Sequence, residues 1–204
     1  MRVLACVSVV SAALVLAGCS SSPEENDAPE VSLTAAPEIS SWSSLNGILV
    51  PIGVSDGPSS GIWEPITGFS HTPQGAALAA IDQSVQLSTA SDTSWSKVLP
   101  VVAAAGEGRD AFAVNRALIT ATGSIDAAVA PTILGYRFDS YSDTNAAVDV
   151  VQRFPDDSLA STRTNVVWVE SDWKLDLPTP ENAVGAKELT EIPSDMVNLE
   201  GTRK

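Results

Sequence analysis

From Thr72 to Leu87 the apolar residues Ala77, Ile81 and Val85 recur at every fourth position, the spacing of one buried stripe on a helix. Thr72 supplies an N-cap hydroxyl, and Pro73 follows at the first helical position, where its missing N–H has no bond to lose. Gly75, Ala76, Ala79 and Ala80 give this helix a small-residue face that lets another backbone come close. A second helical stretch begins near Asp92 or Thr93, carries Trp95, Leu99 and Val102 at helical spacing, and is expected to be divided by Pro100. After Gly106 and Gly108, Arg109 to Ala121 predicts a third helix. It is expected to bury Phe112 or Ala113 with Val114, Ala117, Leu118 and Ala121, and to stop at Gly123.

Beyond Pro131 the period falls to two. Leu134, Tyr136 and Phe138 alternate with Gly135, Arg137 and Asp139, and Val148 and Val150 alternate with Asp149 and Val151. Thr162, Thr164, Val166 and Trp168 share one face of a long strand, and Trp173, Leu175 and Leu177 alternate with Lys174 and Asp176. Short turn segments separate these runs, so they read as a four-stranded antiparallel meander. The layout is α+β: N-terminal helices packed on a C-terminal four-stranded sheet. Upstream, Trp42 to Ile52 holds an Asn46-Gly47 turn and a short apolar run, read as an entry strand, and Ser55 to Gly61 reads as a loop. After Pro178 the chain is Pro- and Glu-containing and is expected to form a loosely attached tail, although Leu189, Ile192, Val197 and Leu199 leave docking on the sheet or on a partner as the alternative.

The N-terminus has its own pattern. Met1 and Arg2 precede an apolar run from Val3 to Leu16, too short to span a bilayer, which needs roughly 20 residues, and of the length of a signal-peptide core. It ends in Leu16-Ala17-Gly18-Cys19, which resembles the lipobox of bacterial lipoproteins, where Cys19 would carry the lipid. The expected organisation is a signal peptide at 1–18, a lipidated Cys19 and flexible tether at 19–41, a globular domain at 42–178 and a tail at 179–204. A tether of this composition reaches about 25 Å when flexible and roughly 70 Å when stretched. The implied location is the extracytoplasmic face of the cell membrane, with the cytoplasmic membrane bound through Cys19. Only Cys6 and Cys19 are present, so removal of the signal leaves no pair for a disulfide.

Charge narrows the function. With Lys+Arg 11 against Asp+Glu 25 the net charge is -14, and no cationic run exists to displace counterions, which excludes a nucleic-acid reader. Gly53-Val54-Ser55-Asp56-Gly57 has the G-x-S-x-G spacing of a hydrolase elbow, but Pro58 and Gly61 forbid the helix that must follow. His71 is the sole histidine, so a zinc site has no imidazole pair. Gly106-Glu107-Gly108-Arg109 lacks the third glycine and the Lys-Ser/Thr of a phosphate loop, and Glu24-Glu25 and Asp156-Asp157 fall in a linker and a turn. No catalytic residue, metal site or cofactor is assigned. Tyr136, Trp168, Trp173 and His71 are the candidate lining of a ligand pocket on a concave sheet face.

Several segments together carry a resemblance: Trp42 with Asn46-Gly47 and Val50-Pro51, Asp56-Gly57-Pro58, Gly106-Glu107-Gly108-Arg109, Gly135-Tyr136, and Val167-Trp168 with Asp172-Trp173-Lys174-Leu175. The longest is Gly68-Phe69-Ser70-His71-Thr72-Pro73-Gln74-Gly75-Ala76-Ala77-Leu78-Ala79-Ala80. They resemble an uncharacterised family of actinobacterial membrane-anchored or lipoprotein-type proteins, a domain of unknown function met beside conjugative or integrative elements, over roughly 42–178. The order of helices then curved sheet is also similar to NTF2-like and VirB8-like envelope modules and to a cystatin-like cone. The resemblance implies a lipid-anchored extracytoplasmic interaction or scaffold module, accessory to a conjugative transfer apparatus, with envelope proteins as partners. The alternative is a small-ligand carrier or sensor using the Tyr136, Trp168, Trp173 and His71 pocket. A hydrolase, the third class, would rest on His71 alone.

Overall fold

The computed structural model describes residues 31–203. The expected signal peptide at 1–18, the lipobox Leu16, Ala17 and Gly18, Cys19 itself and the tether to residue 30 lie outside the described residues. Strands β1 (Ile39–Leu45) and β2 (Ile48–Gly53) form an antiparallel hairpin. Its two-residue turn demands positive φ at both central positions, which Asn46 (52°) and Gly47 (100°) supply. Glycine is required at 47 for a second reason, since a Cβ there would stand 2.3 Å from the Ile125 carbonyl oxygen. The hairpin starts inside the stretch expected as tether and precedes every helix, so the helices are not N-terminal in the folded part.

Helix α1 (Pro73–Ser88) forms as its sequence dictates, with Thr72 Oγ1 accepting the Gly75 N–H at 3.0 Å. Ala77, Ile81 and Val85 are buried, and so are Ala76, Leu78, Ala79 and Ala80. This is a central helix rather than an amphipathic one, because β2, β4, β5, β6 and α2 pack around it. Helix α2 (Trp95–Val102) runs through Pro100 undivided. The helix ends two residues later, so the ring removes only the partner of the Ser96 carbonyl.

Helix α3 is shorter than expected, Glu107–Arg116, and turned the other way. Val114 and Leu118, expected inside, are 66% and 79% exposed, while Arg116 is buried. The guanidinium explains the rotation. It donates to the carbonyls of Ala90 and Ile119 and to Asp92, and it lies 5.8 Å from the Trp95 ring. Drawing Arg116 inward satisfies carbonyls that Leu118 could not; Phe112 and Ala113 still pack against the core, while Val114, Ala117 and Leu118 face solvent.

Strands β3 (Thr132–Tyr141), β4 (Asn145–Arg153), β5 (Leu159–Val169) and β6 (Asp172–Leu175) form the expected antiparallel run. The sheet nonetheless has six strands, not four. β7 (Lys187–Leu189) pairs with β5, and β8 (Val197–Asn198) pairs with β3 at the opposite edge. The segment expected as a loose tail thus docks, which was the alternative. Leu199 is fully buried, Arg153 pairs with Glu200 at 3.0 Å, Trp42 Nε1–H donates to Thr202 Oγ1 at 3.0 Å, and the Arg203 guanidinium covers the Trp42 ring at 4.4 Å. β4 is buried on both faces, Val148 and Val150 on one and Asp149 and Val151 on the other, so its alternation of apolar and polar residues is incomplete.

Candidate functional site

Between β2 and α1 the chain makes an irregular loop, residues 54–72, anchored by polar side chains that the rest of the core buries. On α1, Gln86 Oε1 accepts the Ile66 N–H at 2.8 Å and its Nε2 donates to the Glu64 carbonyl at 2.7 Å. About one helical turn earlier on the same face, Gln83 Nε2 donates to the carbonyls of Ile66 and Trp173 at 3.2 and 2.9 Å. From the start of β6, the Asp172 carboxylate accepts the N–H groups of Gly68, Phe69 and Trp173 at 2.8, 2.9 and 2.9 Å. Asp56 Oδ1 accepts the hydroxyls of Ser70 and Thr72 at 2.7 and 2.8 Å, closing the base of the loop. Ile66 and Phe69 plug into the core.

A loop held this way is an Ω-loop in the physical sense, its ends close together and its backbone fixed by its own and its neighbours' side chains. At its tip stands Trp63, 79% exposed. The short tight turns that shape the loop require glycine at two places. A Cβ on Gly68, which has φ 84°, would meet Ser59 Oγ at 1.7 Å, and one on Gly57, φ 96°, would meet the Gly68 carbonyl at 2.6 Å.

The four aromatic and imidazole residues singled out from sequence form a packed wall beneath this loop. The His71 ring stacks on Trp168 with centroids 4.0 Å apart and 8° between planes, and its Nε2 meets the Asp143 carbonyl. Trp168 meets Trp173 edge to face at 5.5 Å, and Trp173 Nε1–H donates to the Ser70 carbonyl at 3.0 Å. Tyr136 joins only through intermediaries, packing on Phe138, which packs on Tyr141, which packs on Trp173. Tyr136 and Trp173 are fully covered by protein. Burial, and then the negative charge of Asp56, push the Tyr136 phenol well above its ordinary range. His71 is brought to Trp168 rather than to Ser55, whose hydroxyl reaches only Asp56 at 3.5 Å. Gly108 is pressed against the Leu177 carbonyl, so the Gly106-Glu107-Gly108 start of α3 is covered, not an open cradle.

Among the described residues no group of three or more His, Cys, Asp or Glu side chains could hold a metal ion, and no helix is long and apolar enough to cross a membrane. The sequence reading places a loop at Ser55 to Gly61 but misses its continuation to Thr72 and Trp63 at its tip. A signal was present in Gln83 and Gln86, two amides three positions apart in the largely apolar stretch from Ala76 to Leu87. Asp82 is missed too: it is fully buried on α1 with both carboxylate oxygens unpartnered, and burial pushes its pKa well above the usual carboxylate value.

These features define a small α+β domain whose conspicuous surface element is a buttressed loop rather than a catalytic cleft. The chain belongs to the family described as "Domain of unknown function (DUF8175)", whose model matches residues 11–195. No curated protein and no solved structure matches it.

Proposed function

We propose that this protein is a lipid-anchored extracytoplasmic interaction module that engages a partner protein through the Trp63 loop. The observation that carries the reading is an indole left 79% exposed on a loop whose backbone is fixed by the buried side chains of Gln83, Gln86 and Asp172. Leaving a tryptophan in water is unfavourable, and burying three polar side chains to hold its loop is a further constraint; together they preorganise a contact residue. A preorganised loop loses little conformational freedom on binding, and tryptophan is enriched where interfaces concentrate their energy.

The anchor rests on Leu16-Ala17-Gly18-Cys19, and the segment between Cys19 and the first strand at Ile39 sets how far from the membrane the loop can search. A net charge of -14, with Glu64 beside Trp63, disfavours insertion of the loop into an anionic lipid surface and favours a protein partner. An actinobacterial host and an accessory role beside a conjugative apparatus come from the motif resemblance, as does the likeness to NTF2-like and VirB8-like envelope modules. The small-ligand reading draws less support at its expected pocket, because Tyr136 and Trp173 offer no free face.

The test is crosslinked recovery of envelope proteins from detergent-solubilised host membranes with the wild type, Trp63→Ala and Cys19→Ala. The proposal expects the same partner with wild type alone. Equal recovery by Trp63→Ala removes the loop from the account, equal recovery by Cys19→Ala removes the anchor, and recovery of nothing but the protein itself contradicts the interaction reading.

A further inference from the structure

The second edge of β5 is interrupted. β6 pairs with Val166 to Val169 and β7 with Leu159 to Ser161, so residues 162–165 between them have no strand beside them. Both strands run in the same direction, and an unbroken β6 would bring Pro180 opposite Ser161. Lys187 stands there instead, so seven residues are looped out. The sequence forbids the unbroken alternative. Pro178 and Pro180 would fall opposite Arg163 and Ser161, where a ladder needs the N–H that proline lacks.

The consequence is a recess of about 250 Å³ roofed by the looped-out segment. Its apolar wall is Leu87, Phe112, Leu175 and Leu177, and Val184 closes it from the loop side. Its polar component comes from the open strand edge. On β5 the even-numbered residues turn toward β4, as the bond from the Trp168 N–H to the Thr144 carbonyl shows, and the odd ones turn away, as Asn165 does in accepting the Asp176 N–H. Arg163 therefore presents both its N–H and its C=O to the recess, and neither bonds another backbone group of the described residues. An N–H and a C=O left open at a strand edge, beside an apolar wall, are a ready template for pairing with another backbone unit.

We infer that this recess binds a small molecule consisting of one N-acylated apolar amino-acid unit. Antiparallel pairing at a single residue matches an N–H and a C=O separated by one carbon, which is the backbone of an acylated amino acid. The neighbouring acyl or side-chain carbon then lies on the Thr164 face, against Leu87 and Phe112. A cavity of apolar walls with a few placed polar groups is the general form of a small-ligand site. This site is separate from the Trp63 loop, and it moves the ligand reading from the aromatic wall to the β5 edge.

The probe is N-acetyl-L-leucinamide, titrated into the full-length chain while amide hydrogen exchange is followed residue by residue. The inference expects saturation in the low-millimolar range, at least fivefold slower exchange at the Arg163 amide, and at least tenfold weaker binding of the analogue N-methylated on the leucine nitrogen. Ser84→Phe, which fills the recess from a partly exposed position on α1, should abolish binding while melting at the wild-type temperature. No saturation by 50 mM, equal binding of the N-methylated analogue, protection confined to other segments, or unchanged binding by folded Ser84→Phe would each overturn it.

Discussion

Asp82 gives the sharpest test of how this core is built. Its side chain is fully buried in α1 with no hydrogen-bond partner for either oxygen, so the native state holds it protonated far above the ordinary carboxylate value of 3.8. The unfolded chain releases that proton near 3.8, hence unfolding at higher pH releases a proton. The stability this group contributes is fully present below the unfolded value and is lost as pH rises toward the native one. Over that window the loss is about 1.4 kcal/mol per pH unit. Asp82→Asn keeps the shape and removes the titration, so the difference in stability between variant and wild type should grow in the variant's favour as pH rises above 3.8, by up to about 1.4 kcal/mol per pH unit. With a urea m-value of about 2 kcal/mol/M, the two unfolding midpoints should separate by up to ~0.7 M per pH unit. Titrating groups common to both proteins cancel in the difference. A difference that stays flat from pH 4.5 to 7 would show Asp82 ionised and partnered in the native state, and would refute the reasoning.

Three further outcomes are expected. Asp172→Ala leaves the N–H groups of Gly68, Phe69 and Trp173 without their acceptor, and should lower stability by about 3 kcal/mol or more in urea unfolding and free the loop to proteolysis. Leu199→Ala should destabilise by about 2–5 kcal/mol, since the side chain is fully buried, whereas a truly loose tail would show no change in melting. Asp149 is held below the ordinary carboxylate range: burial raises it, and the hydrogen bonds and charges of Arg163 and Arg137 outweigh that. Its contribution is present above the unfolded value and lost as pH falls through the native one, so wild type should lose stability below about pH 4 more steeply than Asp149→Asn.

The helix at 73–88 and the strands from Thr132 to Leu175 were legible because local rules decide them: a Thr-Pro start, a stripe of period four and alternation of period two. Three features were not. The exposed Val114 and Leu118 depend on Arg116 reaching the carbonyl of Ala90, 26 residues back, which no periodicity encodes. The docking of the final segment depends on Trp42 receiving Thr202 and Arg203, a contact across 160 residues. Of the aromatic residues read as a pocket lining, His71, Trp168 and Trp173 meet, and Tyr136 reaches them only through Phe138 and Tyr141. Their composition reads the same whether they line a cavity or fill one. The fixing of the Trp63 loop is signalled by polar residues on a largely apolar helix, a pattern that becomes informative once their partner groups at Glu64 and Ile66 are known.

The central claim is that Trp63 touches a protein. The direct measurement is to place the photocrosslinker p-benzoylphenylalanine at position 63 in living host cells, with the exposed position of Val129 as the control, and to analyse the products by mass spectrometry. The account predicts one envelope protein crosslinked from position 63, absent from position 129 and lost when Cys19 is replaced by Ala. Crosslinks from 63 to lipid only, or the same products from both positions, would contradict it.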